Sequence, residues 1–142
     1  MTFTDLPTNW PSRSLRDTTL CADVVDLVVR ESERAQGCIS LLLCDPDGRM
    51  IQPVTITDVD HDCTKGERLA VFDAFVDHLG AAFGSLVVAI GKPTGRPDAA
   101  DLAWQHAAAQ VCGRGGVTLL GTFVATGEGV RLIEPEAHSA VA

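Results

Sequence analysis

Several residue types are scarce in this chain, and each scarcity excludes a class of function. The sequence has no tyrosine, 5% aromatic residues and only two lysines, Lys65 and Lys92. Its 11 basic residues are scattered, and 19 acidic residues give a net charge of −8. Because neutralising phosphates requires clustered cations, we expect no direct binding of nucleic acid or of anionic membranes.

Long apolar runs are also missing. No stretch reaches the ~18 to 20 apolar residues that a membrane-spanning helix needs. The first 17 residues lack the basic and apolar segments of a secretory signal. The sequence therefore predicts a cytoplasmic location without membrane contact.

The cysteine pattern does not suggest a disulfide framework. The five cysteines are odd in number, and none forms a C-x-x-C pair. Without an export signal we expect reduced thiols, most of them packed in the core as small apolar side chains. These residues are Cys21, Cys38, Cys44, Cys63 and Cys112.

What is present fits one globular domain. A chain of 142 residues with 46% hydrophobic residues can bury a core without disulfides or structural metal. We predict that residues 1–16 form an extended arm. Phe3, Leu6 and Trp10 would anchor this arm on the body of the domain or on another subunit. Residues 17–134 form the domain, and residues 135–142 are predicted to be a flexible tail.

The first half of the domain reads as a helix followed by a hairpin. An apolar stripe predicts a helix over residues 20–36, capped by Asp17 or Thr18 and stopped by Gly37. Two β-type runs, 38–44 and 50–56, flank a Pro/Gly turn and predict a hairpin. Pro53 indicates that the second run is an edge strand or that it starts late.

The second half alternates helices and strands. Thr64 and Glu67 match a capping box, which predicts a helix reaching about residue 79. A continuous apolar run at 86–90 predicts a central strand. An alanine-rich helix follows from Asp98 to residue 112 or 113, and strands are predicted at 117–125 and 129–133. The fold class is α/β, with a single mixed sheet flanked by helices.

Residues 85–101, SLVVAIGKPTGRPDAAD, read as a buried strand, a Pro/Gly turn and a helix with an early acid. This layout resembles the metal-binding segment of the JAB/MPN metalloprotease superfamily, most closely its RadC-like branch. That segment has a strand, then His-x-His-Pro-Ser/Thr-Gly, then a helix with a metal-binding Asp. The resemblance implies a JAB/RadC-like (cytidine-deaminase-like) architecture over roughly residues 18–134.

The resemblance also implies which residues would do the chemistry. The family binds zinc with two His and one Asp, and a Glu near the first strand is the general base. Ile90 and Lys92 stand at the histidine positions, and Asp101 matches the Asp. The base position falls near Gly37 or Cys38, and the nearest acid is Glu33.

Three of the four catalytic groups are therefore missing by this comparison. We expect a non-catalytic binding or regulatory module that holds no cofactor and contacts a protein partner or a second copy of itself. The plainer interpretation of Asp101 is that it and Asp98 cap a helix. Gly91-Lys92-Pro93, Asp101 with Trp104, and the run GVTLLG at 116–121 are also similar to short uncharacterised actinobacterial proteins.

Two enzyme alternatives stay open. In the first, a metal-dependent hydrolase has rebuilt its site from Asp101, Asp60, His61 and Cys63, since carboxylates suit hard cations and imidazole with thiolate suits zinc. The other interpretation of residues 58–63 is an acidic loop leading into the Thr64 cap.

In the second alternative, the glycine-containing loop at residues 91–96 binds a small anion through its backbone N–H groups, with Lys92, Thr94 and Arg96 as the side chains. The loop matches neither the Walker pattern nor G-x-G-x-x-G, and an ordinary solvated turn is its plainer interpretation.

The two tryptophans are the remaining candidates. Trp10 and Trp104 would serve as interface anchors, because tryptophan is enriched at binding hot spots. For Trp104, which lies midway along an alanine-rich helix, core packing is the other interpretation.

Overall fold

The protein is described here by a computed structural model covering residues 6–79 and 82–133 (for 78 and 79, the backbone alone). The predicted tail and Phe3 of the predicted arm lie outside the described residues. The helices are α1 (Thr18–Val28), α2 (Glu31–Gln36), α3 (Lys65–Leu79) and α4 (Ala99–Gly115). The strands are β1 (Cys38–Cys44), β2 (Met50–Thr57), β3 (Ser85–Gly91), β4 (Thr118–Thr126) and β5 (Gly129–Leu132).

The five strands form one mixed sheet in the order β2-β1-β3-β4-β5. Strands β3 and β4 run parallel to each other, and α4 connects them; the other strand pairs of the described residues are antiparallel. Every residue of β3 is buried. The predicted α/β class with a single mixed sheet and a central strand at this position is confirmed.

Helices cover both faces of the sheet. On one face, α3 and α4 pack through Phe72, Val76, Trp104 and Val111 in what we call the α3/α4 core. On the other face, α1 packs through Leu20, Val24 and Val25 in what we call the α1 core. Because helices cover the sheet on both faces, β1 and β3 are buried throughout and are mostly apolar, with no alternation.

The hairpin forms as the sequence predicts. In β1 and β2, Cys38 pairs with Thr57 and Leu42 with Pro53, and the register shifts by one residue near Cys44. Among the described residues, β2 pairs only with β1, so Pro53 stands on an edge strand as expected.

The helix predicted over 20–36 is in fact two helices. Asp17 caps α1 by accepting hydrogen bonds from the N–H groups of Thr19 and Leu20. The chain is extended at Val29 and Arg30, and α2 then ends at Gly37, whose φ is +85°. Residues 31–36, ESERAQ, are mostly good helix formers, so the local sequence did not reveal the break.

The capping box at the start of α3 is confirmed. Thr64 Oγ1 accepts a hydrogen bond from the N–H of Glu67, and Glu67 Oε1 accepts one from the N–H of Thr64. Burial is uneven along this helix. Phe72 and Val76 are buried, whereas Lys65 is exposed to solvent.

Residues 6–16 pack against the body of the domain and do not form a separate extended arm. Trp10–Ser12 form a short 3₁₀ turn, and Leu6 and Trp10 pack against the α1 core. Leu15 is itself a buried member of that core. Across the described ranges, no helix is both long and apolar enough to cross a bilayer.

Candidate functional site

The segment that resembles the JAB/MPN metal-binding segment lies at one end of the sheet. Gly91, the last residue of β3, pairs with Cys38 at the start of β1 and with Ala125 near the end of β4. Lys92 follows, and its N–H donates to the carbonyl of Ala125 at 3.0 Å. Ligands in α/β proteins commonly bind outside the carboxyl ends of parallel strands, so this end is the natural place for a site.

Lys92 forms a compact ionic group with Asp98 and Asp101, which we call the Lys92 cluster. The ammonium Nζ lies 2.7 Å from Asp101 Oδ2, 3.3 Å from Asp98 Oδ2 and 2.8 Å from the carbonyl oxygen of Arg96. An ammonium has three hydrogens to donate, and these three acceptors account for all of them.

Burial differs sharply within the Lys92 cluster. The side chain of Asp101 is 1% exposed and that of Lys92 13%, whereas that of Asp98 is 60% exposed. A buried carboxylate is costly unless a charge or hydrogen bonds compensate it. The pair between Lys92 and Asp101 is therefore the part of the cluster on which the fold depends.

Both acids also cap α4. Asp98 Oδ1 accepts a hydrogen bond from the N–H of Asp101, and Asp101 Oδ2 accepts one from the N–H of Asp98, each at 3.0 Å. This reciprocal pair is a capping box with an aspartate at both positions. The prediction that Asp98 and Asp101 cap this helix is confirmed.

The electrostatics favour the charged forms of Lys92 and Asp98. Burial lowers the pKa of Lys92, but hydrogen bonds and charges from Asp101 and Asp98 outweigh it and raise this pKa above its ordinary value. The pKa of Asp98 is lowered, first by the N–H of Asp101 and then by Lys92.

The residues that stand at the family's zinc positions do not fit zinc. Ile90 is fully buried and packs in the α3/α4 core, and it offers no lone pair. Lys92 is protonated, and the Asp101 oxygen facing it already accepts two hydrogen bonds. A cation placed here would meet an ammonium group instead of imidazole ligands.

The general-base position is likewise without a carboxylate. Cys38 is buried, and its pKa is raised to about 11 by burial and by the charge of Glu33. Glu33 Oε1 accepts a hydrogen bond from the N–H of Arg30 at 2.9 Å, so it caps α2. Proton abstraction at this place has no ready base.

The loop at residues 58–63 reaches the same end of the sheet but does not assemble a metal site. His61 Nε2 lies 3.4 Å from the carbonyl oxygen of Cys38, and Asp60 Oδ1 accepts from the N–H of Asp62. Cys63 is half-buried, and its pKa is raised by burial and by Glu67. Within residues 6–79 and 82–133, no group of three or more His, Cys, Asp or Glu could hold a metal ion.

Part of the loop at residues 91–96 is hydrogen-bonded to other groups of the protein. Lys92 is saturated as described, and the N–H of Gly95 donates to Glu128 Oε1 at 3.4 Å. The carbonyl of Pro93 accepts from the N–H of Gly127 at 3.2 Å. Thr94 and Arg96 are exposed. Of the donors that were predicted to bind an anion, Lys92 and the N–H of Gly95 are thus engaged by the protein itself.

The two tryptophans differ in position. Trp104 is fully buried, meets Phe72 edge to face at 5.9 Å between ring centroids, and donates from Nε1 to the carbonyl of His61. Trp104 is a core residue, as the core-packing interpretation predicts, and not an interface anchor. Trp10 is half-buried against the α1 core.

Sequence reasoning missed Arg34, which lies at the same end of the sheet. Its Nε donates to the carbonyl of Val29, Nη1 to that of Thr126 and Nη2 to Asp26 Oδ1 at 3.0 Å. The side chain is 6% exposed. The helical pattern placed Arg34 on the solvent side, and nothing in its spacing signals a partner 92 residues away.

The sequence was also compared with known proteins. No protein-family model matches the chain, and no curated protein matches its sequence.

Proposed function

We propose that this protein is a non-catalytic module on a JAB-like scaffold, in which a lysine takes the place of the metal ion. The proposal is carried by one observation, the 2.7 Å contact between Lys92 Nζ and the buried Asp101 Oδ2. Side chains two residues apart on a strand point to the same face. Ile90 and Lys92 therefore both face α4, which carries Asp101.

A substitution of this kind removes the chemistry and keeps the scaffold. Zinc in the JAB family lowers the pKa of a bound water to about 7 and so supplies the nucleophile. An ammonium ion neutralises Asp101 but presents no open coordination position for water. The strand, the Pro93-Thr94-Gly95 turn and α4 remain in the order that the family resemblance implies.

The two enzyme alternatives have less support. A rebuilt hydrolase would need Asp101 near Asp60, His61 and Cys63, yet these side chains make separate contacts. A small-anion enzyme would need Lys92 free to meet its substrate, yet Asp101, Asp98 and the Arg96 carbonyl take up its three hydrogens.

Restoring the histidines tests the proposal directly. We expect the double variant Ile90→His/Lys92→His to gain stoichiometric Co²⁺ binding with the absorption bands of a tetrahedral site, because the two introduced imidazoles and Asp101 would then surround the position of the Lys92 ammonium. Adding Asp101→Asn should abolish the bands. The exposed-lysine variant Lys65→His is the matched control and should bind no metal at that site.

Two results would contradict the proposal. One is stoichiometric zinc in the wild-type protein purified without chelator and lost in Asp101→Ala, which would favour the rebuilt hydrolase. The other is a folded double variant that binds no Co²⁺, which would mean that positions 90, 92 and 101 do not share the family's geometry.

For the binding role we propose the outer edge of β2 as the contact surface. Among the described residues this strand pairs on one side only, and Ile51 at its start is 56% exposed. An edge strand offers unpaired backbone groups to another chain, and two identical edges can pair about a twofold axis. The first partner to test is therefore a second copy of this protein.

Sedimentation equilibrium measures this contact. We expect a reversible dimer that Ile51→Arg dissociates, because the arginine would place two like charges at the twofold contact. Leu27→Arg is the matched control, since Leu27 is an exposed apolar residue (39%) on α1, away from β2. A wild-type protein that stays monomeric, or equal dissociation by both variants, would exclude the β2 contact.

A further inference from the structure

A cavity lies beside the first half of β4, away from the Lys92 cluster at the other end of that strand. Helix α4, strands β4 and β5 and the first turn of α1 border this open cavity of about 490 Å³. Pockets for small molecules in proteins span roughly 300–1,000 Å³. The size is therefore suitable for a small organic ligand.

Two polar atoms at this cavity have no hydrogen-bond partner in the part of the chain that the structure describes. Gln105 Oε1 and Thr122 Oγ1 are buried and make no hydrogen bond with any described residue. Gln105 is 5% exposed, Thr122 is 1% exposed, and both line the cavity. Buried polar side chains almost always have a partner, and two orphaned atoms at one cavity point to a missing bound molecule.

The strand beside the cavity is only partly covered. Strand β5 pairs with residues Phe123 to Thr126 of β4, and the N–H of Ile133 donates to the carbonyl of Thr122 at 2.8 Å. Among the described residues, no strand pairs with residues 118–121 on that side. The sheet is thus open where Leu119 and Leu120 meet the cavity.

The lining specifies the chemistry of the ligand. No Asp, Glu, Lys or Arg among the described residues lines the cavity, and the ionisable side chain that does, His106, is exposed. Most of the lining is apolar, including Leu119, Leu120, Leu132 and Ile133. A charged ligand would lose its hydration without gaining a buried counter-ion. The ligand must be neutral, with an apolar body and groups that satisfy one amide oxygen and one hydroxyl.

We propose that this cavity binds a small neutral carboxamide, whose N–H donates to Gln105 Oε1 and whose C=O accepts from Thr122 Oγ1. A carboxamide supplies a donor and an acceptor on one planar group, and so offers a partner to each of the two orphaned atoms. The apolar remainder of the ligand lies against the leucine side chains. This site is independent of the Lys92 cluster and of the β2 edge.

Benzamide is the probe, with toluene and benzoate as matched comparisons. We expect saturable changes in the methyl NMR signals of Leu119, Leu120, Leu132 and Ile133, and in the side-chain NH₂ signal of Gln105. Thr122→Val, which removes one hydroxyl with little change of shape, should weaken binding about fivefold, the factor expected for one hydrogen bond. Thr118→Val, at an exposed position on the same strand, should leave binding unchanged.

A stability measurement tests the premise separately. Because Thr122→Val removes an unsatisfied buried hydroxyl, we expect it to raise the urea midpoint of the free protein. The proposal is overturned if benzamide gives no saturable shift, if toluene or benzoate binds as well, or if Thr122→Val binds like wild type. A lowered urea midpoint in Thr122→Val would show that ordered water already satisfies the hydroxyl, and would also overturn it.

Discussion

Replacing Lys92 by methionine should lower the free energy of unfolding by about 3 kcal/mol, the usual effect of removing one partner of a buried ion pair. The variant leaves the Asp101 carboxylate 1% exposed and without its counter-charge. Methionine keeps most of the length of the lysine side chain, so lost packing contributes little. Urea denaturation at neutral pH measures the change.

A double-mutant cycle separates the ion pair from the helix cap. Asp101→Asn keeps an oxygen for the N–H of Asp98 but removes the charge that Lys92 meets. We expect Lys92→Met/Asp101→Asn to be less destabilised than the sum of the two single variants, because no buried charge then remains unpaired. The control Lys65→Met, at the exposed lysine, should stay within about 0.5 kcal/mol of wild type. Additive single effects would mean that Lys92 and Asp101 are not coupled.

Raising the pH from 8 to 10 should remove about 5 kcal/mol of stability, through four buried thiols. Burial raises the pKa of Cys21 and Cys44 to about 12 and that of Cys38 and Cys112 to about 11, from an ordinary value of 9.0. The unfolded chain therefore ionises these thiols first. Their contribution is complete below pH 9 and is lost as the pH rises towards the folded-state values.

The size of this effect follows from the pKa difference. One pH unit above the unfolded-state pKa, each thiol that stays protonated in the folded state favours unfolding by about 1.4 kcal/mol. Four such thiols together approach the 5–15 kcal/mol that stabilises a typical domain. We therefore expect cooperative alkaline unfolding near pH 10, measured by urea titrations in a phosphine reductant.

The composition of the chain makes the contribution of the thiols easy to separate from that of other groups. With no tyrosine and two lysines, few other side chains titrate in this range. Lys92 contributes at the upper end, because its pKa is also raised on folding and its contribution is lost above the unfolded value. Cys112→Ala should reduce the pH slope by about one quarter, and the half-buried Cys63→Ala should change it less. A stability that stays flat up to pH 10 would contradict the burial of these thiols.

Local signals in the sequence predicted most of the elements. The capping boxes at Thr64 and Asp98, the turn of the hairpin and the apolar run of β3 all act within a few residues, and the structure has each of them. The break between α1 and α2 was not predicted, because the guanidinium that accompanies it bonds to carbonyls outside its own helix. Such contacts between distant residues produce no periodic pattern in the sequence.

The candidate site was predicted in part. The sequence singled out Lys92 and Asp101 separately, one for an anion and the other for a metal or a cap, and the structure brings them together as a pair. Their nine-residue separation spans a turn of irregular backbone, so spacing could not predict the contact. Gln105 and Thr122 were not recognised at all, since an unsatisfied hydrogen bond is a property of packing and not of residue order.

The hydrogen bond between Arg34 and the carbonyl of Thr126 affects when the chain can complete its folding during synthesis. Ribosomes release the amino end first, so α1 and α2 leave the tunnel long before residue 126 is added. Until translation has passed β4, the guanidinium of Arg34 therefore stays hydrated. The contact between α2 and β4 cannot form before then. The amino-terminal helices acquire their final arrangement only after most of the polypeptide has been synthesised.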